Sequence, residues 1–209
     1  MPQVAFGIAE WAPKNGVSNV VTLVTDYGPG IDTERAFKER FTANGGRVVE
    51  ALRVPMRNAD FAPVLQRVRD LKPDALFVFV AESSGLAVMK QSVERGLGQA
   101  GIRLIGTGDM VGDDILNDMG DVALGIVTSH HYSAAHPGEL NRGFVQRYAQ
   151  ATKGGRANFM AVAGYDGMHM IYEALKKTGG KGGGDALVAA MKGRRFGSQG
   201  QVRHAQSVR

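Results

Sequence analysis

The apolar positions of this chain fall into two alternating rhythms. Val20 to Thr25 is a continuous, β-branched run, the pattern of a strand buried on both faces. Asp26-Tyr27-Gly28-Pro29-Gly30 then turns the chain, and Phe37 and Phe41 recur at helical spacing. Arg47 to Val54 predicts a second strand, bounded by Asn44-Gly45-Gly46 in front and Pro55 behind. Asp60 is placed to cap a helix with the stripe Phe61, Val64, Leu65, Val68 and Leu71, which Lys72-Pro73 stops. Ala75 to Val80 is the clearest strand, six apolar residues in succession. Ser84 is expected to N-cap the next helix, which carries Leu86, Val88, Met89 and Val93 and closes at Gly96. Ile102 to Ile105 predicts a fourth strand, a short helix follows from Asp113, and Leu124 to Thr128 predicts a fifth. No element is predicted ahead of Val20.

Strands alternating with helices at this interval predict an α/β fold, a doubly wound and mostly parallel sheet. After Pro137 the rhythm stops, and three helices are predicted at about 138–151, 159–178 and 184–192, with no strand between them. The second carries Phe159, Met160, Val162, Ala163, Met168, Ile171, Tyr172 and Leu175, a stripe wide enough to demand a partner surface. The expected organisation is an α/β ligand-binding lobe over 17–132, a helical segment over 133–193 and a basic tail over 194–209.

Composition narrows the classes. The chain has 209 residues, 44% of them hydrophobic, and a net charge of +5, which excludes disorder as its main state. With no Cys it has no disulfide framework, thiolate metal site or cysteine nucleophile. Met1-Pro2-Gln3 lacks the basic and apolar regions of a signal peptide, so the chain as written reads as cytoplasmic. Of 25 basic and 20 acidic residues, eight basic and one acidic lie in 176–209, leaving 17 and 19 in the rest. The positive charge is thus a property of the tail. Apart from Phe196 no aromatic residue alternates with those charges, so nucleic acid is not an expected partner.

Several short motifs occur in order along the chain: Tyr27-Gly28-Pro29-Gly30 after the first strand, Asp60-Phe61 heading a helix, and Lys72-Pro73-Asp74 before the strongest strand. Gly106-Thr107-Gly108-Asp109, Met119-Gly120-Asp121 with Leu124-Gly125, and Gly164-Tyr165-Asp166 complete the series. From about Trp11 to Val202 the series resembles the periplasmic substrate-binding proteins of branched-chain amino acid ABC transporters, the leucine/isoleucine/valine-binding type. The resemblance implies one lobe of a two-lobed clamshell that closes on a small amino acid-like ligand, a branched-chain amino acid or a related small amino acid, amide or aromatic acid, and an ABC permease as partner in the intact protein. It also implies a periplasmic location. The family's first lobe would precede residue 1, so the chain is expected to be a fragment. The helices after about 138 would pack on that lobe, and without it their apolar stripe is expected to self-associate through 159–175.

Ligands of open α/β sheets bind beyond the carboxyl ends of the strands, which directs attention to the loops there. The resemblance implies a cleft-facing aromatic at Tyr27 and an acidic group for a ligand ammonium near Gly108 and Asp109, with Thr107 beside them. Glu82 and Ser83 follow the third strand, where the family often offers an aromatic; their small polar character argues against a leucine-like specificity. His130 and His131 are adjacent and point to opposite faces of a strand, so with no third ligand nearby they predict hinge or cleft-wall residues and no metal site. Asp166 suits inter-lobe packing or a helix start. Neither Gly28-Pro29-Gly30 nor Gly106-Thr107-Gly108 has the spacing of a dinucleotide fingerprint or a P-loop, so no cofactor is expected and the protein reads as a non-enzyme. The alternative is a flavodoxin- or response-regulator-like switch or enzyme domain with Asp26 and Asp109 as its acidic site.

Overall fold

A computed structural model describes residues 2–80 and 82–193, apart from the side chains of Pro2, Glu82 and Ser83. The apolar runs become five strands: β1 (Asn19–Thr25), β2 (Arg47–Val54), β3 (Ala75–Phe79), β4 (Arg103–Thr107) and β5 (Val127–Ser129). All pair in parallel, in the order β2-β1-β3-β4-β5. Every residue of β3 is buried, as its unbroken apolar sequence requires of a strand covered on both faces.

The helices divide between the two faces. Helix α1 (Pro2–Lys14) and helix α2 (Gly28–Ala43) cover one of them. There Ala5, Ile8, Ala12, Phe37 and Phe41 pack with Val20, Val24, Phe77 and Ile105. The Phe37 and Phe77 rings stack with centroids 3.9 Å apart. Helices α3 (Ala62–Leu71) and α4 (Glu82–Glu94) cover the other face, where Leu65, Val68, Val88 and Met89 meet Val21, Leu23, Leu76 and Val78. Period-two alternation in β3 sends Phe77 to the first cluster and Leu76 and Val78 to the second. The sheet is therefore doubly wound.

Several expectations shift. No element is expected ahead of Val20, yet α1 packs on α2, β4 and β5 and the Ile8 amide donates to Ser129 Oγ at 3.1 Å. Helix α4 starts at Glu82, so Ser84 lies inside it and is not its N-cap. The N-cap position of α3 falls on Phe61, and Asp60, one residue ahead of it, accepts from the Ala62 amide at 3.0 Å. The short helix expected from Asp113 is α5 (Leu116–Met119), between 3₁₀ turns at Gly108–Met110 and Gly120–Ala123. The second of these turns and Gly125, whose φ is +80°, delay β5 and leave Leu124 76% exposed.

The described residues divide into two compact units, the first ending at His130 and the second beginning at His131. The second holds α6 (Glu139–Ala151), α7 (Phe159–Thr178) and α8 (Gly184–Met191). Its small core is Tyr132, Phe144, Ala157 and Val162. Asn141 fastens the segment entering α6, accepting from the Tyr132 hydroxyl at 3.0 Å and donating to the Ala134 and His136 carbonyls. Of the α7 stripe, Val162 is buried, whereas Met160, Met168, Ile171, Tyr172 and Leu175 are exposed. The basic tail expected over 194–209, and Val202 with it, lies outside the described residues.

Candidate functional site

The connection from β1 to β2 runs one way along the sheet, and the connection from β2 to β3 runs back the other way past β1. The strand order thus reverses between β1 and β3, and a crevice forms beyond the carboxyl ends of strands at such a reversal. Two glycines let the chain build this edge closely. A Cβ on Gly30 would lie 2.0 Å from the Thr25 carbonyl oxygen, so only glycine lets α2 start directly off β1. A Cβ on Gly85 would lie 2.6 Å from the Met110 carbonyl oxygen, so α4 and the turn after β4 also meet backbone to backbone.

Tyr27 sits at the reversal. Its ring is half-buried and stacks on Phe79, at the end of β3, with centroids 6.3 Å apart and planes 17° from parallel. Burial and the negative charge of Asp109 push the Tyr27 hydroxyl above its ordinary pKa, which keeps the phenol protonated.

Asp109 lies in the 3₁₀ turn after β4 and is buried. The Thr107 hydroxyl donates to its Oδ2 at 2.7 Å, and His130 Nε2 stands 3.6 Å from the same oxygen. Burial alone would raise this carboxyl's pKa. The contacts from His130 and Thr107 and the electrostatic effect of His130 outweigh it and hold the pKa below the usual value. Asp109 is therefore ionised at neutral pH. Gly108 makes room for the arrangement, because a Cβ there would fall 2.5–2.8 Å from His130 side-chain atoms.

Tyr27, Thr107, Gly108 and Asp109 thus gather at one edge of the sheet. Glu82 and Ser83 open α4 after β3, and their side chains lie outside the described residues. Phe79 joins them as the floor beneath Tyr27, and His130, expected as a hinge or cleft-wall residue, stands as the partner of Asp109. The signal for His130 is strand adjacency: Thr107 pairs with Ser129, so the residues that follow, Gly108 and His130, are neighbours. His131 meets Phe159 edge-on instead, with centroids 5.8 Å apart. Among the described residues no group of three His, Cys, Asp or Glu side chains could hold a metal ion.

Asp26 belongs elsewhere. Arg53 reaches it at 3.5 Å while donating to the buried Glu34 at 2.8 Å, and Thr22 also donates to Glu34. Asp26 and Asp109 end strands two places apart, roughly 10 Å at ordinary sheet spacing. They do not form one acidic site, which removes the switch-domain alternative on geometric grounds. A cavity of 520 Å³ opens at the opposite end of the sheet, between the end of α4 and the starts of β4 and β5. It is lined by Met89, Val93, Leu97 and Leu104 among others, and lies away from this chemistry.

A doubly wound lobe with an aromatic shelf and a buried carboxylate at its topological switch point is the architecture of a small-molecule binder. Residues 2–203 match the family model described as periplasmic binding protein, and the chain belongs to that family. A Leu/Ile/Val-binding protein homolog of Brucella suis is 40% identical over 193 residues, which cover 91% of this chain and 50% of that protein. A solute binding protein of an ABC transporter from Rhodopseudomonas palustris BisB5, solved with 3,4-dihydroxybenzoic acid, is 56% identical and superposes with a TM-score of 0.88. That match covers 95% of this chain and 54% of the other. Its counterpart from R. palustris HaA2, solved with p-hydroxybenzoic acid, is 36% identical, with a TM-score of 0.90 over 96% of this chain and 55% of the other. The chain spans about half the length of the curated relatives it matches. The family binds solutes for transport and is not one of enzymes, so the switch-domain alternative fails on family grounds too.

Proposed function

We propose that this chain supplies one ligand-gripping lobe of an ABC-transporter solute-binding protein, and that its ligand is a small aromatic acid in preference to a branched-chain amino acid. The observation that carries this reading is the Tyr27–Phe79 stack beside Asp109 at the strand reversal. A flat aromatic shelf suits a planar ring better than a branched aliphatic chain. The hydroxybenzoates bound by the relatives from R. palustris are planar acids of this kind. Residues 17–132 act as the ligand-binding lobe, with Tyr27, Thr107, Gly108, Asp109, Glu82 and Ser83 around the ligand, and 133–193 act as a helical segment serving other surfaces. The working place is the periplasm and the receiving partner an ABC permease.

A ¹H–¹⁵N titration of the 209-residue chain tests this reading at millimolar ligand. 4-Hydroxybenzoate is expected to move the amide signals of Tyr27, Thr107 and Asp109, and leucine to move them less at equal concentration. Tyr27→Ala is expected to weaken the aromatic acid about 3- to 10-fold, the worth of one aromatic contact. Saturable shifts with leucine alone, or shifts confined to other regions, would overturn the reading.

Exposed Met160, Met168, Ile171, Tyr172 and Leu175 along α7 favour a second property, self-association through 159–175. Sedimentation velocity is expected to show a concentration-dependent dimer that Met168→Lys with Tyr172→Glu converts to monomer. A wild-type chain that stays monomeric at high concentration would refute it.

A further inference from the structure

We propose that Asp109 accepts a hydrogen bond from a ring hydroxyl of the ligand, and that His130 is the specificity-determining residue that makes this position favour a neutral phenol over an ammonium. The proposal rests on the reading of the β1/β3 edge as the ligand site, and it deepens that reading by naming which end of the ligand this lobe holds.

Asp109 is ionised, with its side chain only 13% exposed, and an approaching ligand carboxylate would meet a like charge in a poorly solvated place. Arg53, the cation at the nearby end of β2, is already engaged by Glu34 and Asp26. The described side chains gathered here, Tyr27, Thr107, Asp109 and His130, include no lysine or arginine to neutralise an acid. What this edge can hold is therefore a donor, and the acid end of the ligand must point away from it.

The choice between donors follows from how Asp109 is already satisfied. Thr107 and His130 both address Oδ2, and Oδ1 takes part in neither contact. A phenolic hydroxyl needs one acceptor lone pair and brings no charge, so it can use Oδ1 while His130 stays in place. An ammonium draws its binding energy from an uncompensated carboxylate, and here an imidazole already lies beside that charge. His130 is fixed there because Gly108 leaves no side chain between them and Thr107↔Ser129 pairing aligns the two turns. The ring of such a phenol would lie along the Tyr27–Phe79 shelf, whose own hydroxyl feels the Asp109 charge.

The test compares four ligands on the 209-residue chain by calorimetry or amide titration: benzoate, 4-hydroxybenzoate, 4-(aminomethyl)benzoate and leucine. The wild-type chain is expected to bind 4-hydroxybenzoate about tenfold more tightly than benzoate, the worth of one hydrogen bond to a charged acceptor. It is expected to bind the aminomethyl compound no better than benzoate. Asp109→Ala should erase the hydroxyl preference, so that 4-hydroxybenzoate and benzoate bind with equal affinity. His130→Ala should turn the preference toward the aminomethyl compound, whereas His130→Gln, which retains a donor, should keep the wild-type order. This ratio of ligands is a readout that a merely structural loss would not reverse, and a dispersed spectrum identifies the variants that fold. Equal binding of benzoate and 4-hydroxybenzoate, or an unchanged ratio in Asp109→Ala, overturns this inference and leaves the aromatic-acid reading standing. Binding of leucine alone, or of none of the four, overturns both.

Discussion

Gly30→Ala is expected to destabilise the first unit by about 3 kcal/mol or more, although helix propensity alone predicts the opposite sign. Gly30 is the third residue of α2, and alanine in a helix is ordinarily better than glycine by about 1 kcal/mol. Here the added methyl would lie 2.0 Å from the Thr25 carbonyl oxygen, 3.1 Å from the carbonyl carbon and 3.2 Å from Tyr27 Cδ1. Backbone cannot rotate away as a long side chain can, so relief requires moving α2 off β1, whose residues up to Thr25 are buried. The same movement lifts Tyr27 from Phe79, so the damage reaches the proposed ligand shelf. Gly28→Ala is the control, because a Cβ there meets nothing within 4 Å although it lies two residues earlier in the same helix. Trp11, the chain's one tryptophan, sits in α1 of the first unit, so its fluorescence during urea unfolding follows that unit. Equal midpoints for the two variants would show that the close approach of α2 to β1 has no energetic weight.

Elements defined by unbroken or strongly periodic apolar sequence were legible before the fold was known. The bounds of β2, α7 and the start of β3 coincide with their expected positions, because burial on one or two faces imposes those patterns directly. Helix α1 was missed for a physical reason. Its buried stripe Ala5, Ile8, Ala9 and Ala12 has the right spacing, but alanine contrasts weakly with its neighbours and Pro13 reads as a breaker. Pro13 comes one residue before the helix end, so the break it imposes falls where α1 stops. β4 runs on through Gly106 and Thr107, which look like loop in sequence. Gly106 serves there by close approach, since a Cβ would fall 2.5 Å from the Val78 carbonyl oxygen. The candidate site divides along the same line. Tyr27 and Asp109 follow single strands and could be found from local pattern, whereas the meeting of His130 with Asp109 enters only through the pairing of β4 with β5, and Phe79 only through a ring stack across the strand reversal.

Removing the Asp74 carboxylate is expected to cost about 2 kcal/mol near neutral pH, with a pH dependence that identifies the cause. Asp74 belongs to the Lys72-Pro73-Asp74 motif at the foot of β3, far along the sheet from the site. Its Oδ2 accepts from the Ser18 and Asn19 amides, each at 2.8 Å, at the foot of β1. Its own amide donates to the Asn19 carbonyl, and its carbonyl accepts from the Arg103 amide where β4 begins. One residue therefore ties the lower ends of three neighbouring strands, and the Arg47 amide, donating to Ser18, extends the tie to β2. The amides of Asn19 and Ser18, with a smaller contribution from the Arg103 charge, hold the Asp74 pKa below its ordinary value against the opposing effect of burial. A carboxyl whose folded pKa is depressed contributes stability that is complete above the unfolded value near 3.9 and disappears as pH falls through the folded value. The stability difference between wild type and Asp74→Asn, followed by Trp11 fluorescence in urea, should accordingly be full at neutral pH and shrink toward zero on acidification through the carboxylate range. Asp74→Ala should lose more than Asp74→Asn at neutral pH, because it leaves the Ser18 and Asn19 amides without the side-chain acceptor. A difference that stayed constant down to strongly acidic pH would mean that the ionised carboxylate contributes nothing beyond its shape. The strand feet would then be held by the backbone bonds alone.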